Sequence, residues 1–125
     1  MQPDSLMSNC IFCSIIHKSA PAETLYEDEQ VIVIRNIKPL APVHLLVLPR
    51  QHFASMNDLT AADTALAGHL LLIAKMMAEG AGISEQGYRL VINTGAQGGQ
   101  TIFHLHLHLL GGKPMSENLQ TQGLA

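Results

Sequence analysis

The stretch "HLHLHLL", His104 to Leu110, sets three histidines on alternate positions with leucines between and after them. On a β-strand successive side chains point to opposite faces, so His104, His106 and His108 share one face and Leu105, Leu107 and Leu109 the other. On a helix the same residues would scatter around the axis. The pattern therefore predicts a strand. Its histidines stand about 6.5–7 Å apart along the chain. A metal with bonds of about 2 Å accommodates an i, i+2 pair but hardly all three. At least two different tasks are implied. A sheet face that is histidine-rich by chance is the plain alternative, and strict alternation beside a glycine loop weighs against it.

Working outward, "YRLVIN" (88–93) and "TIFHLHLHLL" (101–110) read as two strands joined by the glycine-rich "TGAQGGQ". Upstream, Thr24 to Tyr26, "VIVIR" (31–35) and "VHLLVLP" (43–49) read as three more, the first two forming a hairpin across "EDEQ". Pro39 and Pro42 make "NIKPLAP" a connection. The main helix is expected from Thr60 to Glu79. Thr60 and Asp63 form a capping-box pattern, Leu66, Leu70, Ile73 and Met77 recur at helical spacing, and Gly80 stops it. Leu71, Leu72 and Met76 widen its apolar stripe, either through deep burial or by packing on a second subunit. A short helix, "NCIFCSIIHK", is expected with Ser8 as its cap. The ends, 1–7 and 116–125, look polar and loosely held. These elements make an α+β fold, a mainly antiparallel sheet of five strands with one long and one short helix. One domain is expected over 1–125, its core at about 10–115.

Hydrophobic residues make up 47 % of the 125 and charged ones 14 %, which excludes a disordered tail. Net charge is −3, and the seven Lys and Arg are scattered, which argues against nucleic acid as the main partner. The apolar run "LLLIA" is too short to span a bilayer, and "MQPDSLMSN" lacks the features of a secretory signal. A cytoplasmic protein without a membrane partner is expected. Cys10 and Cys13 have the C-x-x-C spacing of metal-binding or redox thiols, and the βαβ context of a thioredoxin-like site is missing. Two thiolates alone half-fill a tetrahedral site.

"HLHLHLL" resembles the signature of the histidine triad (HIT) family at every position. "CIFCSII", "LYEDEQVIVI", "KPLAPVHLLVLPRQH" and "GYRLVINTGAQGGQTIFHLHLHLLGG" extend the likeness over roughly residues 10–115. "GGQ" before the triad and "LGG" after it resemble the nucleoside phosphoramidate hydrolase branch. That resemblance implies a homodimer that cleaves the P–N bond of purine nucleoside 5′-phosphoramidates through a covalent nucleotidyl-histidine. His106 is then the nucleophile, His108 a donor to phosphate oxygens, and His44 a support for the proton network. Thr101, where relatives often carry serine, can donate from its hydroxyl. Asn93, Gly99, Gln100 and Thr101 match positions around the ribose–phosphate or leaving group. Ile34 and Ile37 fit an apolar slot for the base, with plain core as the alternative.

Asn36 stands where relatives usually have Asp to bind the ribose, so that contact loses its charge. The resemblance completes a structural zinc site, one per chain, as Cys10, Cys13, His52 and His104. His17 and His69 match no motif. Two other readings remain: a zinc-containing nucleotide-binding adaptor with vestigial activity, and a dinucleoside polyphosphate hydrolase. An ordinary imidazole pKa near 6.5 predicts that activity falls as pH drops through that range.

Overall fold

The structure, a computed structural model, describes residues 10–117 and 123–125. Five antiparallel strands form one sheet in the order β1-β2-β3-β5-β4. They are β1 (Thr24–Glu27), β2 (Val31–Arg35), β3 (Val43–Pro49), β4 (Tyr88–Val91) and β5 (Leu107–Gly111). A short helix, α1 (Ile11–Ile16), and a long one, α2 (Thr64–Gly80), complete the expected α+β architecture.

Alternation sorts the side chains into two layers. Val31, Val33, Leu45, Val47, Leu105, Leu107 and Leu109 pack with Leu70, Ile73, Ala74 and Ala78 of α2. Ile32, Ile34, Leu46 and Leu48 pack with Phe12, Ile15 and Ile16 of α1. Both faces of β2 and β3 are thus covered, which explains their nearly unbroken apolar runs. Each buried Leu or Ile contributes about 1.5–3 kcal/mol relative to exposure.

Several boundaries differ from the sequence reading. Ser8 lies outside the described residues, and the α1 cap is Cys10, whose Sγ accepts from the Cys13 N–H. The Thr60–Asp63 capping box is present, but it opens a 3-10 turn, Ala61–Asp63, before α2 begins. Gly80 is the last residue of α2 and does not stop it; the chain turns at Gly82, with φ +75°. By length and hydropathy the continuous stretch Ala61–Gly80 is long and apolar enough to cross a membrane, which the five-residue reading missed. Here its inner side lies on the sheet, while Leu71, Leu72 and Met76 stay 51 %, 64 % and 40 % exposed. His69 is also more than a plain helix residue: its Nε2 sits 2.7 Å from Asp28, fastening α2 to the β1–β2 turn.

The largest departure lies at the histidine run. Only Leu107–Gly111 is strand; residues 101–106 leave the ladder. β3 pairs with β5 as far as Val47↔Leu107. Beyond it, the Leu105 N–H donates to the Phe53 carbonyl at 2.7 Å. The histidines nevertheless keep to the α1 face, and Leu105 to the α2 face.

Candidate functional site

Two clusters grow from the histidine run. At its start, His104 meets Cys10, Cys13 and His52, with all four ligand atoms within 4.8 Å of one another. Cys10 Sγ is 3.4 Å from His104 Nδ1, Cys13 Sγ 3.5 Å from the same atom, and Cys13 Sγ 3.2 Å from His52 Nδ1. Tetrahedral zinc with thiolate and imidazole ligands needs separations of about 3.3–3.8 Å. His104 Nε2 donates to the Pro49 carbonyl at 2.9 Å, which leaves the Nδ1 lone pair facing the sulfurs. The donor set fits zinc. Burial, with Cys10 adding to it, pushes the Cys13 thiol up to about 12, so in the metal-free chain it is a neutral thiol. Burial first, with the neighbouring His52 and His106 adding to it, pushes His104 down to about 4 against the pull of Pro49. It too is neutral, as a metal ligand must be.

At the other end, His106 and His108 stand side by side with ring centroids 5.0 Å apart, both fully buried, and His44 on β3 joins them. Proton positions follow from fixed backbone groups. The Leu40 N–H donates to His44 Nδ1 at 3.1 Å, so the His44 proton is on Nε2. That Nε2–H donates to His108 Nδ1 at 2.9 Å, which places the His108 proton on its own Nε2. His106 has the opposite tautomer: its Nδ1–H donates to the His104 carbonyl at 2.6 Å, leaving a lone pair on Nε2. Among the described residues neither His106 Nε2 nor His108 Nε2 has a hydrogen-bond partner. The cluster therefore presents one lone pair beside one N–H.

Burial lowers the pKa of His44, of His106 against the opposing His104 and Ala125 backbone, and of His108 to about 3. Burial therefore moves protonation of these imidazoles below the ordinary range near 6.5.

The remaining predicted residues divide. Ile34, Asn36 and Ile37 line a cleft of about 280 Å³ together with Phe12, Ile15 and Ile102. Ile34 is buried and Ile37 is 87 % exposed, so one forms the floor and the other the lip. Gly99 and Thr101 line a neighbouring cleft of about 420 Å³ with Gln97 and Gly98. Positive φ at Gly95 (+73°) and Gly99 (+87°) is what the loop needs from glycine. Gln100 does not reach into either cleft. Its Oε1 accepts from Gly95 N–H, and its Nε2 donates to the Ala54 and Ile102 carbonyls, so it staples the loop. Asn93 Nδ2 donates to the Leu124 carbonyl at 3.3 Å.

Two features escaped the sequence reading. Phe12 presents its ring to His106 and His104 at centroid distances of 5.0 and 5.9 Å, fixing both imidazoles against α1. A phenylalanine inside an apolar helical run carries no signal of that kind. The end of the chain was read as loose, yet Leu124 is buried with Ala41 and Leu110. The Thr101 N–H donates to the Ala125 carbonyl at 3.0 Å.

Residues 17–115 match the HIT domain. An uncharacterized HIT-like protein of Synechococcus elongatus is 48 % identical over 111 residues, covering 89 % of this chain and 96 % of that protein. A purine nucleoside phosphoramidase of Escherichia coli K12 is 40 % identical over 114 residues, 91 % of this chain and 96 % of that enzyme. Among solved structures, a HIT family hydrolase from Legionella pneumophila superposes with a TM-score of 0.86 at 45 % identity, over 87 % of this chain and 97 % of that one. A zinc-bound histidine triad family protein from Mycobacterium smegmatis superposes with a TM-score of 0.73 at 32 % identity, over 89 % and 80 %. Sheet order, histidine run and sequence agree: the chain belongs to the HIT family and has the fold of its hydrolases.

Proposed function

We propose that the protein hydrolyses purine nucleoside 5′-phosphoramidates. The observation that carries this reading is the tautomer pair: a His106 Nε2 lone pair beside a His108 Nε2–H. The lone pair attacks phosphorus and the P–N bond breaks. The amine leaves with the bonding electrons and takes a proton that the exposed Thr101 hydroxyl can pass on. His108 Nε2–H donates to a non-bridging oxygen as the phosphorus passes through its crowded state. Water then attacks the nucleotidyl-histidine, freeing His106 and the nucleoside monophosphate and returning the borrowed proton. The Nδ1–H···O=C bond to His104 supports the charge His106 carries meanwhile. Ile34 and Ile37 hold the base and Asn36 the ribose, while the loop at Asn93, Gly99 and Gln100 shapes the phosphate and leaving-group side.

Zinc at Cys10, Cys13, His52 and His104 ties α1 to the histidine run and takes no part in the chemistry. The exposed Leu71, Leu72 and Met76 of α2 form the face of a cytoplasmic homodimer, which light scattering tests as twice the chain mass. The reaction is tested by offering adenosine phosphoramidate and diadenosine polyphosphate side by side. Preference for the P–N bond is expected. Turnover of the polyphosphate alone, or binding without turnover, overturns the assignment.

A further inference from the structure

Cys10 and Cys13 belong to one metal cluster but differ in their surroundings. Cys13 is 1 % exposed, and its Sγ lies 3.2 Å from His52 Nδ1 and 3.5 Å from His104 Nδ1. Cys10 is only half-buried, and its Sγ leans back over α1 to accept the Cys13 N–H at 3.3 Å. A small solute therefore meets Cys10 first. The two sulfurs are no more than 4.8 Å apart. A disulfide brings the Cβ atoms to about 3.5–4.5 Å, and positions three apart on a helical turn hold them at about 5–6 Å. The short remaining move falls on Cys10, a capping residue whose backbone is extended, with φ −95° and ψ 116°. The 125 residues contain two cysteines, so within one chain each has a single possible partner.

We propose that the pair is a reversible oxidation site for peroxides: Cys10 reacts first, Cys13 closes a disulfide onto it, and the metal site is dismantled. The Cys10 thiolate attacks one peroxide oxygen, the O–O bond breaks, and Cys10 becomes a sulfenic acid while hydroxide departs. The Cys13 sulfur then attacks the Cys10 sulfur, the S–O bond breaks, and a second hydroxide leaves. Each sulfur gives up one electron and each peroxide oxygen gains one. Two protons from solvent turn the hydroxides into water. His52 and His104 alone half-fill a tetrahedral site, so zinc is released. A dithiol reductant returns both thiols, and zinc rebinds. The bond from His106 Nδ1–H to the His104 carbonyl involves no sulfur, so the oxidation acts on metal content and stability. The release of metal rests on the zinc reading above; the disulfide does not, and neither depends on the hydrolase reading.

The test treats zinc-loaded protein with a small molar excess of hydrogen peroxide and reads released metal with a chromogenic zinc chelator. Release of about one zinc per chain is expected. Both thiols should disappear together, leaving a chain about 2 Da lighter than the reduced one. A dithiol with added zinc should restore the starting state. Order of attack is read by trapping sulfenic acid with dimedone. Cys13→Ser should take the label on Cys10, and Cys10→Ser should take it on Cys13 at least about tenfold more slowly. Equal labelling of the two variants overturns the proposal. Zinc and both thiols surviving peroxide overturn it as well, and so does sulfinic acid in place of the disulfide. Those two wild-type results are available even if neither variant folds. A chain that takes up no zinc sinks the zinc reading; in that chain disulfide formation still supports the oxidation site, and intact thiols overturn it.

Discussion

His104 and His106 are two residues apart, equally buried and built into one extended run, yet they face different neighbours with opposite ring nitrogens. His104 gives its Nε2–H to the Pro49 carbonyl and turns the Nδ1 lone pair to Cys10 and Cys13. His106 gives its Nδ1–H to the His104 carbonyl and keeps a buried Nε2 lone pair that has no hydrogen-bond partner among the described residues. Residue type does not separate the two sites. Which backbone carbonyl claims the N–H does. The sites also share one residue: His104 offers its side chain to the sulfur cluster and its carbonyl to His106. A change of the His104 side chain can therefore empty the first site while leaving the orientation of the second intact.

The sharpest break is expected at His106. Replacing it with Ala removes the unpartnered Nε2 lone pair on which the proposed mechanism depends and should lower phosphoramidate turnover by at least about 10³-fold. Affinity for the nucleoside monophosphate should stay within a few-fold, because the proposed base and ribose contacts come from other residues. His108→Ala loses a donor but no bond-forming atom, so a smaller loss of about 10- to 100-fold is expected. Single-turnover rates of the two variants check the order. Equal losses would mean that the two imidazoles share one role.

On the metal side the effect should fall on stability. Cys13→Ala or His104→Ala should take zinc content from about one per chain to near zero, measured by atomic emission. Losing a bound ion held at roughly 100-fold above its dissociation constant removes about 3 kcal/mol. For a chain of this length that is a drop in Tm of about 10 °C. Well below that Tm, activity per folded chain should remain within a few-fold of wild type. Loss of turnover without loss of Tm would break the division of labour between the two histidines.

Period-two alternation was enough to put the three histidines on one face, and the β-branched runs were enough to find β1, β2 and β3. Thr60, Asp63 and the leucine spacing located the long helix. The ladder's end at Leu107 was not legible, because it depends on where the 50–54 segment passes: Phe53 offers the carbonyl that takes the Leu105 N–H. Gln100 illustrates the same limit. A glutamine after paired glycines looks like a ligand contact, and only the folded loop brings Gly95, Ala54 and Ile102 to its amide. The cysteine pair was visible as chemistry, whereas the Asn36–His44 contact needs the loop 36–42 to fold back on β3. Local pattern reached the faces of the sheet; contacts made by returning loops lay beyond it.

The smallest expected effect is in the pH profile, and it separates the two sites by sign. Burial lowers the folded-state pKa of His106, so its lone pair stays available below the ordinary imidazole range. Turnover, measured under saturating substrate, should change less than about twofold between pH 7.5 and 6.5 and fall only at lower pH. Stability behaves differently in zinc-free protein. Between an unfolded value near 6.5 and folded values of about 4 for His104 and about 3 for His108, the unfolded chain binds more protons. Stability is therefore complete above about pH 6.5 and lost progressively as pH falls toward the folded values. Zinc bound at the cluster would hold His104 unprotonated through its Nδ1, so loaded protein should resist this acid loss until the metal is released. Melting curves with and without zinc, taken from pH 7.5 to 4.5, read both quantities. Parallel curves for the two forms would show that the Cys10–His104 cluster does not hold the metal, and the contrast between neighbouring histidines would lose its basis.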